Sequence, residues 1–254
     1  MKLLIISDLH IGNNDHFETF GWKPEQFITA LKKVITEEKI ERVVLNGDIF
    51  ELYKYSFEEI YDRNKTLVDF LLNNPDFIYL KGNHDAICRF GLTSTEIENS
   101  HGHKIYIEHG HSADFLNGTK LGRKLQTFGF SILRWISTTG WVRRVYFKIV
   151  ELDEAINSIP KKYHSIRYLT HALRLLKDYD MVVLGHTHKI EAHKTYYLNN
   201  KKQYINSGSC SMGRFQGVII NTESLKFETL KFKNFKDLMK EYQKPVIREL
   251  ALTA

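Results

Sequence analysis

Lys2-Leu3-Leu4-Ile5-Ile6-Ser7-Asp8-Leu9-His10 decides how this chain is read. Leu3 to Ile6 form a short run with no polar residue, the signature of a strand buried on both faces. The run ends at a carboxylate and an imidazole one residue apart. In open α/β sheets, ligands collect outside the carboxyl ends of the strands, where loops stand on a rigid base. The same pattern recurs along the chain. Arg42-Val43-Val44-Leu45 leads into Asn46-Gly47-Asp48, and Phe77-Ile78-Tyr79-Leu80 into Gly82-Asn83-His84-Asp85. Met181-Val182-Val183-Leu184 leads into Gly185-His186-Thr187-His188, and Lys104-Ile105-Tyr106-Ile107-Glu108 delivers His109 in His109-Gly110-His111.

Asp8, His10, Asp48, Asn83, His109, His186 and His188 are therefore candidate metal ligands. Singly, most of these groups have a plain alternative. Asp8-Leu9-His10 could cap a strand, and Gly47-Asp48 or Gly82-Asn83 could be ordinary turns, since Gly and Asn supply positive φ and Asp caps helices. Gly185-His186-Thr187-His188 is more specific, because packing rarely needs two imidazoles so close on a Gly-opened loop. Carboxylate, amide and imidazole donors without thiolate suit Mn²⁺ first, with Fe, Zn²⁺ or Ni²⁺ as alternatives. Seven donors exceed what one ion with an open position needs, so two divalent ions sharing a bridging carboxylate are expected. Cations roughly 3.5–4 Å apart acidify a shared water and clamp the attacking and leaving oxygens of a phosphoryl displacement.

The chain resembles the calcineurin-like metallophosphoesterases, whose pattern is D-x-H, G-D-x-x-D, G-N-H-D/E, a later His and G-H-x-H. The resemblance runs from Asp8 to about Ser209 with the five motifs in order. It implies an α/β fold, the four-layer αββα sandwich. It also implies a first metal held by Asp8, His10 and His188, a second by Asn83, His109 and His186, and Asp48 as the bridge. His84 resembles the family's non-ligand histidine, which faces the phosphate and protonates the leaving group. Glu51 stands where the family commonly has the Asp that orients this histidine, so its reach must differ. Gly47-Asp48-Ile49-Phe50-Glu51 is similar to a segment of the UDP-2,3-diacylglucosamine diphosphatases, which split a pyrophosphate and receive acyl chains in a helical cap. His84 and His111 depart from that branch, which commonly has Arg and Asp there.

Length and composition fit one domain over residues 1–254. With 43% hydrophobic and 26% charged residues, the chain can bury a substantial core, and no Pro/Gly/Ser-rich linker divides it. The first apolar run is too short for a signal-peptide core, and none approaches a membrane span. Cys88 and Cys210 are far apart, which leads us to expect no disulfide framework and a reducing cytoplasm. Helices are expected from Pro24 to about Glu38 and from Phe57 to Leu72. Past Asp180 the pattern turns to strands at 180–184, 191–198, 203–207, 216–221 and 225–232, with a hairpin turn at Asn199-Asn200.

Between His109 and His186 lies a helical insertion at about 115–178. Leu121, Leu125, Phe128, Ile132, Leu133 and Ile136 make one apolar stripe, Trp141, Val142, Val145, Tyr146, Ile149 and Val150 a second, and Ile166, Leu169, Leu173 and Leu176 a third. Residues 115–178 hold 12 Lys+Arg against 4 Asp+Glu, while the rest of the chain holds 24 against 26. The basicity behind the net charge of +6 therefore sits where an anionic substrate would arrive. Arg123, Arg143 and Arg144 are the candidate phosphate contacts, though any single one is more often a solvated helix residue. The insertion's aromatics, Phe128 among them, are expected mainly in a core. Cations and aromatics together suit a lid over a lipid-bearing phosphate ester, with peripheral contact at the inner face of a membrane. Three functions stay open at this level: a phosphodiesterase or pyrophosphatase; a nuclease or serine/threonine-type protein phosphatase, with nucleic acid as one alternative partner; and a non-catalytic module.

Overall fold

The computed structural model describes residues 1–113 and 164–243, together with Lys124, Phe128, Gly129, Arg144, Val145 and Lys148. Among the described residues ten strands form two five-stranded sheets. The first contains β1 (Lys2–Ile6), β2 (Arg42–Asn46), β3 (Phe77–Leu80), β9 (Phe215–Asn221) and β10 (Lys226–Phe232), in the order β10-β9-β1-β2-β3. The second contains β4 (Ser94–Glu98), β5 (Lys104–Glu108), β6 (Met181–Leu184), β7 (Ile190–Tyr197) and β8 (Asn200–Ser207), in the order β4-β5-β6-β8-β7. Both sheets are mixed. β1 pairs parallel to β2 and antiparallel to β9, and β6 pairs parallel to both β5 and β8.

Strand alternation builds the layers. Leu3 and Ile5 of β1 meet Ile105, Ile107, Met181 and Val183 in the core between the sheets. Leu4 and Ile6 point the other way, into a core shared with α1 (Pro24–Glu37), α2 (Phe57–Leu72) and the C-terminal helix α4 (Phe235–Glu241). On the far side, Val182 and Leu184 pack with Ala172 of α3 (His164–Leu175), with Leu176 just past its end and with Tyr204. Two mixed sheets flanked by helices is the αββα sandwich, and it explains why the strand runs lack polar positions: each has helix on one face and sheet on the other.

Local signals placed most elements. α2 begins at Ser56, whose hydroxyl accepts from Glu59 N at 3.2 Å while Glu59 returns a bond to Ser56 N at 2.8 Å. This reciprocal pair satisfies two otherwise orphaned amides. β8 starts three residues earlier than the apolar pattern indicates, because Leu198 and Asn199 take positive φ (48° and 64°) and pair Tyr197 with Asn200. β4 and α4 were not anticipated. β4 is an edge strand with Ile97 as its only apolar residue, and α4 is seven residues long, too short to show a period. The third insertion stripe is corrected: Ile166 and Leu173 are 53% and 45% exposed, whereas Tyr168, Ala172 and Leu176 face the core. Phe128, expected in a core, is 68% exposed. Of the basic candidates, Arg144 lies at an exposed helical position, and Arg123 and Arg143 lie outside the described residues. Among the described residues no helix is long and apolar enough to cross a membrane.

Candidate metal centre

The loops after β1, β2, β3, β5 and β6 meet at one point between the sheets. Backbone bonds hold them in register: Asp8 N donates to Gly47 O at 3.0 Å, His10 N to Asp48 O at 3.0 Å, and Gly185 N to His109 O at 3.0 Å. Asp8, His10, Asp48, His186 and His188 all have positive φ, between 54° and 68°. Non-glycine residues hold this conformation only where the surroundings over-determine it, and such strain gathers at functional sites. Room is also made by glycine. A Cβ on Gly82 would fall on Asp48 Oδ1, and one on Gly47 would lie 2.6 Å from the His109 ring.

Two donor groups result, joined by a third. Asp8, His10 and His188 form one, with His188 Nε2 3.1 Å from Asp8 Oδ1 and 3.3 Å from His10 Nε2. Asp48, His109 and His186 form the other, with His109 Nε2 3.1 Å from Asp48 Oδ2. Asp48 also closes a third group with His10 and His84, so it is the carboxylate between the two. Asn83 lies between Gly82, whose missing side chain makes room for that carboxylate, and His84, whose N donates to Asp48 Oδ1 at 2.8 Å. Asn83 is buried, and among the described residues its Oδ1 accepts no hydrogen bond. A buried amide oxygen without a donor is costly. A cation at this point would satisfy it, and the mixed oxygen and imidazole donor set suits a divalent ion of the first transition row.

Tautomers and charges favour the same use. His109 Nδ1 donates to Asn46 O at 2.8 Å, which leaves Nε2 for the centre. Burial pushes the Asp8 carboxyl up, but His188 and His109 more than offset this and hold it at about 2. Burial likewise opposes ionisation of Asp48, and His109 and His84 together hold it well below the carboxylate range. For His109 burial disfavours the cation, yet Asp48 and Asp8 raise it to about 10. His186 falls to about 3 through burial and repulsion from His109. Two buried carboxylates thus draw positive charge into this cavity, and a metal ion competes there with the His109 proton.

Glu51 occupies the position where a shorter carboxylate was expected, and the extra methylene gives it two contacts. Its Oε1 accepts from His84 Nδ1 at 2.7 Å, and its Oε2 lies 3.2 Å from His10 Nδ1. Lys54 Nζ is 3.4 Å from the same Oε2, with both side chains almost wholly buried. Glu51 therefore stays ionised despite burial, drawn down by His84 and Lys54. Burial lowers the proton affinity of His84, but Glu51 and Asp48 reverse this and raise it above the usual histidine value.

Sequence reasoning missed several neighbours. Lys54 was signalled only by its place three residues after Glu51. Tyr53, with its ring centroid 4.4 Å from that of His84, and Tyr168, 5.5 Å from that of His186, had no local signal. Asp85 stood within a motif, but its role is visible only in three dimensions. It accepts from Ile49 N at 2.8 Å, Gly82 N at 2.6 Å and Tyr79 OH at 2.5 Å, and so ties the Asp48 loop to the Asn83-His84 loop.

A family model described as calcineurin-like phosphoesterase matches residues 1–190. No curated protein matches the sequence significantly. Among solved structures, an archaeal phosphodiesterase is 18% identical, with 91% of this chain and 100% of that one covered and a TM-score of 0.44. A dimetal phosphatase from Danio rerio is 11% identical over 92% and 99%, with a TM-score of 0.47. Vps29 from Entamoeba histolytica, complexed with Zn²⁺, is 18% identical over 92% and 100%, with a TM-score of 0.42.

Proposed function

The chain belongs to the calcineurin-like phosphoesterase family of metal-dependent phosphoester hydrolases, and on that premise we propose that it is a dinuclear phosphodiesterase or pyrophosphatase. The observation that carries this reading is the pair of donor groups joined through Asp48, which belongs to the second and meets His10 of the first in a third group, with His84 beside them on Glu51. In this reading Asp8, His10 and His188 hold one divalent ion, Asn83, His109 and His186 the other, and Asp48 both. We favour manganese, since neutral imidazole and carboxylate donors suit it and no thiolate selects a softer metal. When bound, such ions acidify water and neutralise charge on phosphoryl oxygens.

His84 does the proton work. Its Nδ1 is committed to Glu51, and the Glu51 and Asp48 carboxylates raise its proton affinity, which favours the cationic ring with a second proton on Nε2. Nε2 lies 4.0 Å from Asp48 Oδ2, at the edge of the donor groups, where it can deliver that proton to a leaving oxygen. Glu51 fixes the ring and stabilises its cationic form.

The finer assignment, to the UDP-2,3-diacylglucosamine diphosphatase branch, rests on the Gly47 to Glu51 segment and on a basic insertion at about 115–178 of a single 1–254 domain. His84 and His111 depart from that branch, so the lipid-linked pyrophosphate is put forward as one member of the diester class. Work in the cytoplasm is part of the proposal, supported by two free, buried cysteines. The test is a hydrolysis panel with Mn²⁺: a nitrophenyl monoester, its bis-ester, a UDP-sugar lipid, single-stranded DNA and a phosphopeptide. Turnover of the bis-ester or the pyrophosphate, abolished by chelation, supports the reading. Turnover of the phosphopeptide or DNA alone would replace it with the phosphatase or nuclease alternative.

A further inference from the structure

Beside the metal centre, α3 carries a second polar surface that neither the family motifs nor the proposed chemistry uses. Arg167 and Arg174 are seven residues apart, two helical turns, so they share one face about 10 Å apart along the axis. Thr170 lies between them on that face. Together with His171 and with Ser112 of the loop after His109, they line a cavity of about 430 Å³. That volume lies in the range of small-molecule sites and far exceeds a single phosphate.

Two contacts lock this cavity to the centre. Tyr168, on the buried face of α3, stands against His186, with ring centroids 5.5 Å apart. His171 Nε2 donates to Glu108 Oε1 at 2.5 Å, and Glu108 immediately precedes His109. Ser112 follows His109 by three residues, which span at most about 10 Å. Among the described residues neither Arg167 nor Arg174 has an acidic partner, and Glu108, the carboxylate that His171 reaches, is already taken by His171 and by Tyr106 OH at 3.1 Å. Among the described residues these two guanidinium groups, at the ends of a hollow lined by Thr170 and Ser112, therefore meet no carboxylate, and an anion would find them there. Guanidinium favours phosphate, which it can grip with two parallel hydrogen bonds.

We propose that this cavity binds a second, non-reacting phosphate of the substrate, so that the substrate is a phosphoester carrying another phosphate besides the one that reacts. The inference rests on the metal centre being the hydrolytic site. It narrows that site's preference away from simple monoesters and toward bisphosphorylated compounds.

The experiment compares the Mn²⁺-loaded wild type with Arg167→Ala, Arg174→Ala and the double variant. Bis-nitrophenyl phosphate, which lacks a second phosphate, reports basal turnover. Thymidine 5′-phosphate and thymidine 3′,5′-bisphosphate serve as competing ligands, and titration calorimetry measures both directly. The wild type is expected to prefer the bisphosphate by about tenfold, the lower end for a charge-assisted contact at an open site. The double variant should lose that preference and keep bis-nitrophenyl turnover within about twofold. An Arg167→Lys, Arg174→Lys protein should recover part of the preference, which a merely structural role would not produce. Equal affinity for the two ligands in the wild type, or a preference unchanged in the double variant, overturns the proposal. Because calorimetry needs no turnover, an inactive wild type would count against the proposed function and leave the calorimetric ratio to decide this inference.

Discussion

Replacing Glu51 by Gln keeps the shape of the side chain and removes its charge, which makes it the sharpest probe of the proton-handling part of the site. In the wild type its carboxylate touches His84 at 2.7 Å, His10 at 3.2 Å and Lys54 at 3.4 Å, and it is fully enclosed. The substitution leaves Lys54 buried and short of a counter-charge. Breaking a buried pair from one side costs about 3–5 kcal/mol, and Glu18 nearby places the expected loss at the low end, about 3 kcal/mol. For a chain of this size that lowers Tm by roughly 6–12 °C. The catalytic effect is separate. Without Glu51, burial dominates at His84 and its proton affinity falls, by tenfold in the protonated fraction for each unit that its pKa drops below the assay pH. An alkoxide leaving group needs that proton, whereas nitrophenolate scarcely does. Turnover of an alkyl diester should therefore fall about 10²–10³-fold and that of the bis-nitrophenyl ester much less. The assay is kcat/KM for both substrates, with metal content and melting measured on the same sample. Equal losses for both leaving groups with full metal content would refute the reasoning, since Glu51 would then serve position and not proton affinity.

Asp48→Ala should abolish binding of both ions, while Asp8→Ala or Asn83→Ala empties mainly one; two tightly bound ions in Asp48→Ala, by elemental analysis, would remove Asp48 from its bridging role. His84→Ala should keep its metals and lose about 10²–10⁴ in turnover of an alkyl diester. Gly82→Ala forces a methyl onto Asp48 Oδ1 and should cost about 1–3 kcal/mol along with metal affinity, read by melting and metal titration. The chelated protein should lose stability at both pH extremes. Asp8, Asp48 and Glu51 have lowered folded values, so their contribution is present above about pH 4 and lost as pH falls toward 2. His109 is raised to about 10, so its contribution is complete below about pH 6.5 and lost as pH rises through 10. Metal-loaded protein should not share the alkaline loss, because coordination needs His109 deprotonated. Chemical denaturation at several pH values, with and without Mn²⁺, measures the difference.

Much of the architecture was legible because local rules and tertiary demands coincide. A strand with sheet on one side and helix on the other has no polar position, and that is what Leu3 to Ile6, Val43 to Leu45 and Met181 to Leu184 show in one dimension. The loops that follow carry donors and glycines together, so the ordered motifs and the convergence of the loops could be read before any coordinates. Where local and tertiary demands part, the reading failed. β4 is held by pairing with β5 and not by its own composition, α4 is shorter than a readable period, and Leu198 enters a positive-φ turn that its side chain does not favour.

Sequence alone determined which residues are candidates for the chemistry and in what order they stand along the chain, because donor type and strand-end position are local properties. Only the tertiary structure decided how they act on one another. That Glu51 spans His84 and His10, that Lys54 is buried beside it, that Asp85 ties two loops and that Tyr168 stands on His186 are contacts between segments far apart or turned by the fold. The inward face of residues 167–176 was likewise set by the sheet beneath it: Ala172 and Leu176 pack with Val182 and Leu184 and Tyr168 is buried against His186, which leaves Arg167 and Arg174 turned toward the cavity beside the candidate metal centre. Helical periodicity gives a stripe, and the neighbouring surface chooses which stripe is buried.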